Sequence, residues 1–179
     1  LATRYVIVER ERVDSTQDVA AAELARRGLP VLVVAGRQTR GRGRTGRPWW
    51  EADRGLYTSL AFTPRWPPAE WGLVPLVAGL AARAAVATVL GVELDLRWPN
   101  DLLQEGRKVG GILAEGAPGR VVVGWGLDLW WREPPPGIAA ILPEDPGPAV
   151  GRELAATWAD GLLDRCARPA AAWGRDAYR

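Results

Sequence analysis

The chain has 179 residues, 47% of them apolar, and a formal net charge of only +2. That length and apolar share suit one domain with its own core, and the near-balanced charge gives no global case for a nucleic acid partner. Histidine and methionine are absent and Cys166 is the lone cysteine, so the parts for a zinc site, a histidine-based triad or a disulfide framework are missing.

In chain order, Tyr5 to Val8 is a short apolar run suited to a strand. Asp14-Ser15-Thr16 then offers a helix N-cap before an Ala-rich stretch, Val19 to Arg27, that ends at Gly28. Val31 to Ala35 reads as a buried strand, continuous and β-branched. Leu56 to Phe62 alternates as another, and after a Pro-rich turn a long core helix is expected from about Ala69 to Leu90, with Pro75 in its first turns and Gly91 as its stop. A strand from Glu93 to Trp98, a turn at Pro99-Asn100-Asp101, and strands at Lys108 to Glu115 and Arg120 to Leu129 follow. The Pro-rich segment Glu133 to Pro148 reads as a loop, and Gly151 to about Ala167 as a final amphipathic helix. Strands on both sides of one long buried helix, with hairpin-like links near the end, indicate a mixed α+β domain rather than strict βαβ alternation. The N-terminus reads as a strand and not as a charged segment leading into an apolar run. No stretch of about 18 apolar residues lacks an interruption, so neither secretory signal nor membrane partner is expected, and the cytoplasm is the default compartment.

Two segments carry the chemistry. The run Arg37 to Trp50 interleaves Gly41, Gly43 and Gly46 with Arg40, Arg42, Arg44 and Arg47. Glycines let backbone approach a ligand closely, and each arginine offers a charged fork that matches carboxylate or phosphate, so an anionic ligand is the direct inference. Interleaved Gly and Arg also occur in disordered RNA-binding tails, but here a single block is flanked by apolar strands; a solvated surface loop is the plain alternative. The spacing G-x-G-x-x-G is present, yet no helix follows Pro48 and no Lys-Ser or Lys-Thr closes the run, so neither a dinucleotide fingerprint nor a Walker loop is indicated.

The second segment is Arg97 to Gly116. Of the 23 Lys and Arg residues in the chain only Lys108 is a lysine, and Asn100 is the only asparagine. A compact ammonium on a flexible stem does what a planar guanidinium does not, so a lysine retained among arginines invites a chemical reason, against chance survival on the surface. Pro99 fixes the turn, Asn100 and Asp101 offer an amide and a carboxylate, and Gly110-Gly111 strips side chains from the strand beyond Lys108, where a ligand could lie against the backbone. A β-bulge or an ordinary Asx turn explains the same residues without a ligand.

Taken together, GRGRTGRPW, RWPNDLL and KVGGILAE resemble the catalytic domain of biotin protein ligases in order and spacing. Asp14-Ser15-Thr16 resembles that family's early Ser-Thr motif, and the Leu56 to Phe62 strand its NLYxS strand. The resemblance implies a mixed β-sheet packed by helices, of the class II synthetase-like kind. It implies biotin held in a pocket on the sheet with ATP beside it, Mg²⁺ carried by the phosphates, and transfer of biotin through biotinyl-AMP to a lysine of a biotin carboxyl carrier protein. By the same resemblance Ser15, Thr16 and Gln38 contact the ureido end of biotin. Gly41, Arg42, Gly43 and Arg44 fold over its carboxylate, and Gly111 lies beneath the ligand. Arg42, Arg44, Arg47, Trp49, Asn100 and Asp128 serve the nucleotide. Lys108 bridges the biotin carboxylate and the α-phosphate, with Arg44 and Asp101 as the other catalytic candidates.

Three departures from the family pattern stand out. Gln17 replaces the usual Asn after Ser-Thr, Asp128 stands where the strand motif usually ends Gly-Ile-Asn, and the chain stops where many relatives continue into a small C-terminal β domain. No N-terminal helix-turn-helix is expected, since the first residues already form a strand; a single domain, alone or as a homodimer, is the expectation. The rival readings are a lipoate or octanoate ligase or transferase, which shares the fold and a pocket lysine, and a biotin-binding paralogue without ligase activity.

Overall fold

The structure, a computed structural model, describes residues 4–173. Strand β1 (Val6–Val13) leads through helix α1 (Thr16–Arg27) into β2 (Val31–Gln38). Ser15 stays extended ahead of α1, and Gly28 ends it with φ 69°, its N–H on the Leu24 carbonyl, the left-handed stop that glycine takes without Cβ strain. Then come β3 (Arg54–Phe62), α2 (Val74–Leu90), β4 (Asp95–Arg97), β5 (Asp101–Gln104), β6 (Arg107–Ala117), β7 (Arg120–Trp130) and α3 (Ala149–Cys166).

The seven strands form one sheet in the order β1-β2-β3-β7-β6-β5-β4. Only β1 and β2 run parallel, because α1 carries the chain back between them; every other neighbour is antiparallel. The mixed α+β class expected from the sequence is the class observed. Alternation along the strands divides the core. Leu32, Leu56, Leu60, Val123, Trp125 and Leu127 face α2 and α3, with Trp158 of α3 fully buried 5.6 Å from the ring of Trp125. Val31, Val33, Ala61 and Val122 face the other way, onto Ala20 and Leu24 of α1. Two helices thus seal one face of the sheet and a single short helix covers part of the other.

Differences from the expected elements have local causes. The stretch Pro68–Leu73 is a 3₁₀ turn, and α2 proper begins at Val74, with Pro75 in its first turn, where a missing N–H costs no helical bond. The strand expected over Glu93 to Trp98 is confined to Asp95–Arg97, and β5, which begins within the expected turn at Asp101, pairs between β4 and β6. Glu105 and Gly106, at φ 50° and 76°, form the tight turn that joins β5 to β6. The segment Pro68–Leu90, interrupted by Glu70 and Arg83, is still by length and a mean hydropathy of 2.0 over 18 residues apolar enough to cross a membrane. Here it is the core helix: Val77, Ala78, Ala81, Ala82 and Ala85 are buried in the cluster shared with the sheet and α3, because small alanines let the elements approach closely.

Candidate active site

The site lies on the face of the sheet that α1 leaves open. Along β7 the residues on this face are Val122, Gly124, Gly126 and Asp128, while their alternates enter the core beneath α2 and α3. Val122 packs under α1; beyond it two glycines leave bare backbone, joined by Gly111 of β6 opposite Gly126. Above this floor runs the loop from Gly41 to Trp50, and the space between is a cleft of about 480 Å³. The loop folds back on itself, with Gly43 N–H on the Arg47 carbonyl at 2.7 Å and Trp49 N–H on the Gly41 carbonyl at 2.9 Å. Trp49 lies directly on the glycine floor. A Cβ at position 126 would stand 2.7 Å from its Cε2, so the indole can rest there only over glycine.

One end of the cleft is polar and buried. Ser15, Thr16, Gln17 and Ser59 are each no more than 5% exposed. Thr16 gives both its backbone N–H and its hydroxyl to Gln38 Oε1, at 2.8 and 3.0 Å, and its hydroxyl lies 2.8 Å from that of Ser59. Gln17 donates to Glu115 at 2.9 Å, while its Oε1 is buried without a donor. An unsatisfied buried acceptor costs about 1–3 kcal/mol, which a ligand N–H arriving there would relieve.

Arg42 closes this end. Its guanidinium donates to both carboxylate oxygens of Glu115 (3.1 and 2.8 Å), to both of Asp18 (3.2 and 2.8 Å) and to the Ser15 hydroxyl (3.0 Å). Glu115 lies seven positions along β6 from Lys108, roughly 20 Å at strand spacing. In this arrangement two carboxylates neutralise Arg42 and hold it at the polar end of the cleft. Arg44 and Arg47 line the cleft without an ion pair among the described residues, and so are the loop's available cations.

At the other end stands Lys108. Leu102 pairs with Gly110 and Leu103 with Lys108, which leaves Val109 as the extra residue of a bulge. Without it, alternation would place Lys108 on the same face as Gly110 and Ile112, toward the core. The bulge instead buries Val109 completely and turns Lys108 onto the cleft. Its Nζ is 2.6 Å from Asp101 Oδ1 and 5.6 Å from the centre of the Trp49 ring. Asp101 also takes the Arg97 guanidinium at 2.6 Å. Burial raises the affinity of Asp101 for a proton, but the donors from Lys108 and Arg97 prevail and hold it below its usual range. Asn100 is occupied with β6: its side-chain N–H₂ donates to the Ile112 carbonyl at 2.9 Å, and its own carbonyl accepts the Ile112 N–H at 2.8 Å. In this arrangement it pins the turn that presents Asp101.

Asp128 is the last residue of the floor. It is 7% exposed, its Oδ1 is buried with no partner, and burial, only partly countered by the nearby Lys108 charge, raises its carboxyl to about 7. The structure therefore gathers Ser15, Thr16, Gln38, Arg42, Gly43, Arg44, Arg47, Trp49, Asn100, Asp101, Lys108, Gly111 and Asp128 around one cleft, while Gly41 packs behind Gln38 and Trp49 rather than lining it. Sequence reasoning missed Ser59, Tyr57 and the pair Gly124 and Gly126. The signal for the glycines was present as the period-two series Gly124, Gly126, Asp128, which marks one strand face.

The sequence model of the biotin/lipoate A/B protein ligase family matches residues 10–128. The biotin–[acetyl-CoA-carboxylase] ligase of Mycobacterium tuberculosis is 42% identical over 104 residues, 55% of this chain and 39% of that protein. The bifunctional ligase/repressor BirA of Bacillus spizizenii is 37% identical over 112 residues, 61% of this chain and 34% of that protein. The matched region thus spans only about a third of the length of such relatives. Among solved structures, the biotin protein ligase of Leishmania major in complex with biotinyl-5-AMP superposes with a TM-score of 0.79 at 26% identity, covering 99% of this chain and 79% of that one. The Aquifex aeolicus enzyme in complex with biotin and ATP does so at 0.74 and 29%, covering 92% and 73%. With two thirds of its length matched and this architecture shared, the chain belongs to the biotin/lipoate A/B protein ligase family.

Proposed function

We propose that this domain is a cytoplasmic biotin ligase: it activates biotin with ATP to biotinyl-AMP and passes the biotinyl group to a lysine of a biotin carboxyl carrier protein. The observation that carries the choice of biotin is the buried polar end of the cleft. A cyclic urea presents N–H donors and a carbonyl acceptor together, and suits the Ser15, Thr16, Gln17, Gln38 and Ser59 set with its unpaired Gln17 oxygen. The dithiolane of lipoate would desolvate the same groups and leave them unpaired, which a polar site rejects strongly.

In the first step a biotin carboxylate oxygen attacks the α-phosphorus of ATP and the bond to the β-phosphate oxygen breaks, releasing pyrophosphate. Two anions must meet, and Lys108, Arg44 and Arg47 are the cations placed to screen them. Asp101 holds the Lys108 ammonium in position until the anions arrive. No group of three or more metal-ligating side chains occurs among the described residues, so Mg²⁺ would be carried chiefly by the phosphates. In the second step the carrier amine attacks the acyl carbon, the acyl–phosphate bond breaks, AMP leaves and the amine loses a proton. The loop over the cleft shields the anhydride from water in between.

Pyrophosphate release with ATP, Mg²⁺ and either biotin or lipoate tests the reading. Release with biotin is expected. Release with lipoate alone overturns it, and release with neither identifies a binding module.

A further inference from the structure

At the buried polar end of the cleft the direction of every hydrogen bond around Gln17 and Ser59 is fixed by proton accounting. Gln17 is 5% exposed, and its side-chain N–H₂ lies among three acceptors: Glu115 Oε2 at 2.9 Å, the Leu113 carbonyl at 3.4 Å and the Val122 carbonyl at 3.5 Å. Carboxylate and carbonyl oxygens cannot donate, so only the nitrogen of the amide can face them. Its Oε1 is thereby turned away, and it is buried with no donor among the described residues. Ser59 is constrained in the same way. The Thr16 hydroxyl gives its one proton to Gln38 Oε1, so the hydrogen bond between the Thr16 and Ser59 hydroxyls must use the proton of Ser59. Ser59 Oγ then has only lone pairs to offer elsewhere. Both oxygens converge on bare strand: a Cβ built on Gly124 would stand 3.0 Å from Gln17 Oε1 and 3.3 Å from Ser59 Oγ. All three residues line the cleft.

Resting on the biotin reading above, we propose that Gln17 is a specificity-determining residue: its locked carbonyl oxygen, beside the lone pairs of Ser59, demands a ring N–H over Gly124 and rejects a ring atom that cannot donate. A cyclic urea supplies such an N–H. A cyclic carbamate, in which oxygen replaces one ring N–H, has nearly the same shape but brings lone pairs to two acceptors. It forfeits the hydrogen bond and leaves the Gln17 oxygen buried and unpaired, the situation in which a polar site discriminates most strongly. The amide cannot escape by turning over, because its nitrogen is held by Glu115 and two backbone carbonyls. Gln38 cannot take the same part with its oxygen, which already accepts the backbone N–H and the hydroxyl of Thr16.

The test is the affinity, by calorimetry, of biotin and of its two cyclic carbamate analogues, each with one of the ring N–H groups replaced by oxygen. The proteins are the wild type and Gln17→Met, which keeps an unbranched side chain of similar length without the amide oxygen. On the wild type at least one analogue should bind about 10- to 100-fold more weakly than biotin. In Gln17→Met biotin should weaken and the ratio of biotin to that analogue should fall about tenfold, while the ratio for the other analogue stays as in the wild type. Such a cycle isolates the contact between one protein group and one ligand group, whereas a residue that merely supports the fold would weaken all three ligands alike. Ratios that the substitution leaves unchanged overturn the proposal. A second measurement needs no variant: equal binding of biotin and both analogues by the wild type also overturns it. A wild type that binds lipoate and none of these three would sink the biotin reading itself, a result distinguishable from both.

Discussion

Replacing Asp128 with Asn should remove a pH dependence from the folding stability of the domain, independently of any ligand. In the unfolded chain the carboxyl has its ordinary value of 3.8; in the fold, burial raises it to about 7, the Lys108 charge opposing. The difference, 7 minus 3.8, is about three pH units, and at about 1.4 kcal/mol per unit the two ionisation states differ by about 4 kcal/mol. The sign follows from proton binding. The folded protein holds this proton more tightly than the unfolded one, so the contribution is whole below pH 4 and is lost as pH rises through 7. About 3 kcal/mol of it falls between pH 5 and pH 8.5. Urea denaturation at these two pH values reads it out: with a slope of about 2 kcal/mol per molar, the wild-type midpoint should drop by about 1.5 M relative to that of Asp128→Asn. Carboxylates held low by arginines, such as Asp145 and Glu23, titrate alike in both proteins and cancel in the comparison. If the two midpoints move in parallel, the Asp128 carboxyl is not the buried, unpaired group described above.

Lys108→Arg should keep the fold and the charge yet lower biotin-dependent pyrophosphate release by about 10²- to 10³-fold, since a planar fork cannot replace a point ammonium between two anions; an unchanged rate would remove Lys108 from the mechanism. Trp158→Ala, which removes a fully buried ring and its hydrogen bond to the Ala78 carbonyl, should cost about 3–5 kcal/mol in chemical denaturation with no direct effect at the cleft. Gly126→Ala places a methyl 2.7 Å from Cε2 of Trp49 and should displace the indole from the floor, weakening ligand binding in calorimetry while changing stability by less than about 3 kcal/mol.

Much of the fold was legible because its elements carry local signals. Gly28 and Gly91 end α1 and α2 in the left-handed conformation that glycine favours, and the β-branched runs of β2 and β7 became central strands. The short β5 was not legible. Four residues with no alternation of their own form a strand only because β4 and β6 offer hydrogen-bonding edges on both sides. The 3₁₀ turn before α2 was likewise hidden, since Pro68 and Pro75 both satisfy helix-start rules and packing decides between them.

For the site, the sequence by itself determined which chemistry was available: a single lysine, a glycine and arginine loop, a polar Ser-Thr pair, and a carboxylate at position 128. These are covalent facts that no fold alters. Only the tertiary structure decided what each is free to do. Arg42 and Arg44 are equivalent in the sequence, yet one is neutralised by Glu115 and Asp18 while the other stays open to the cleft, because those carboxylates are brought to the loop from α1 and β6. Lys108 reaches the cleft through one unpaired residue at Val109, and strand alternation alone would have sent it to the core. Strand periodicity is a local rule, whereas a bulge is set by the register of the neighbouring strand, and that register exists only in the folded sheet.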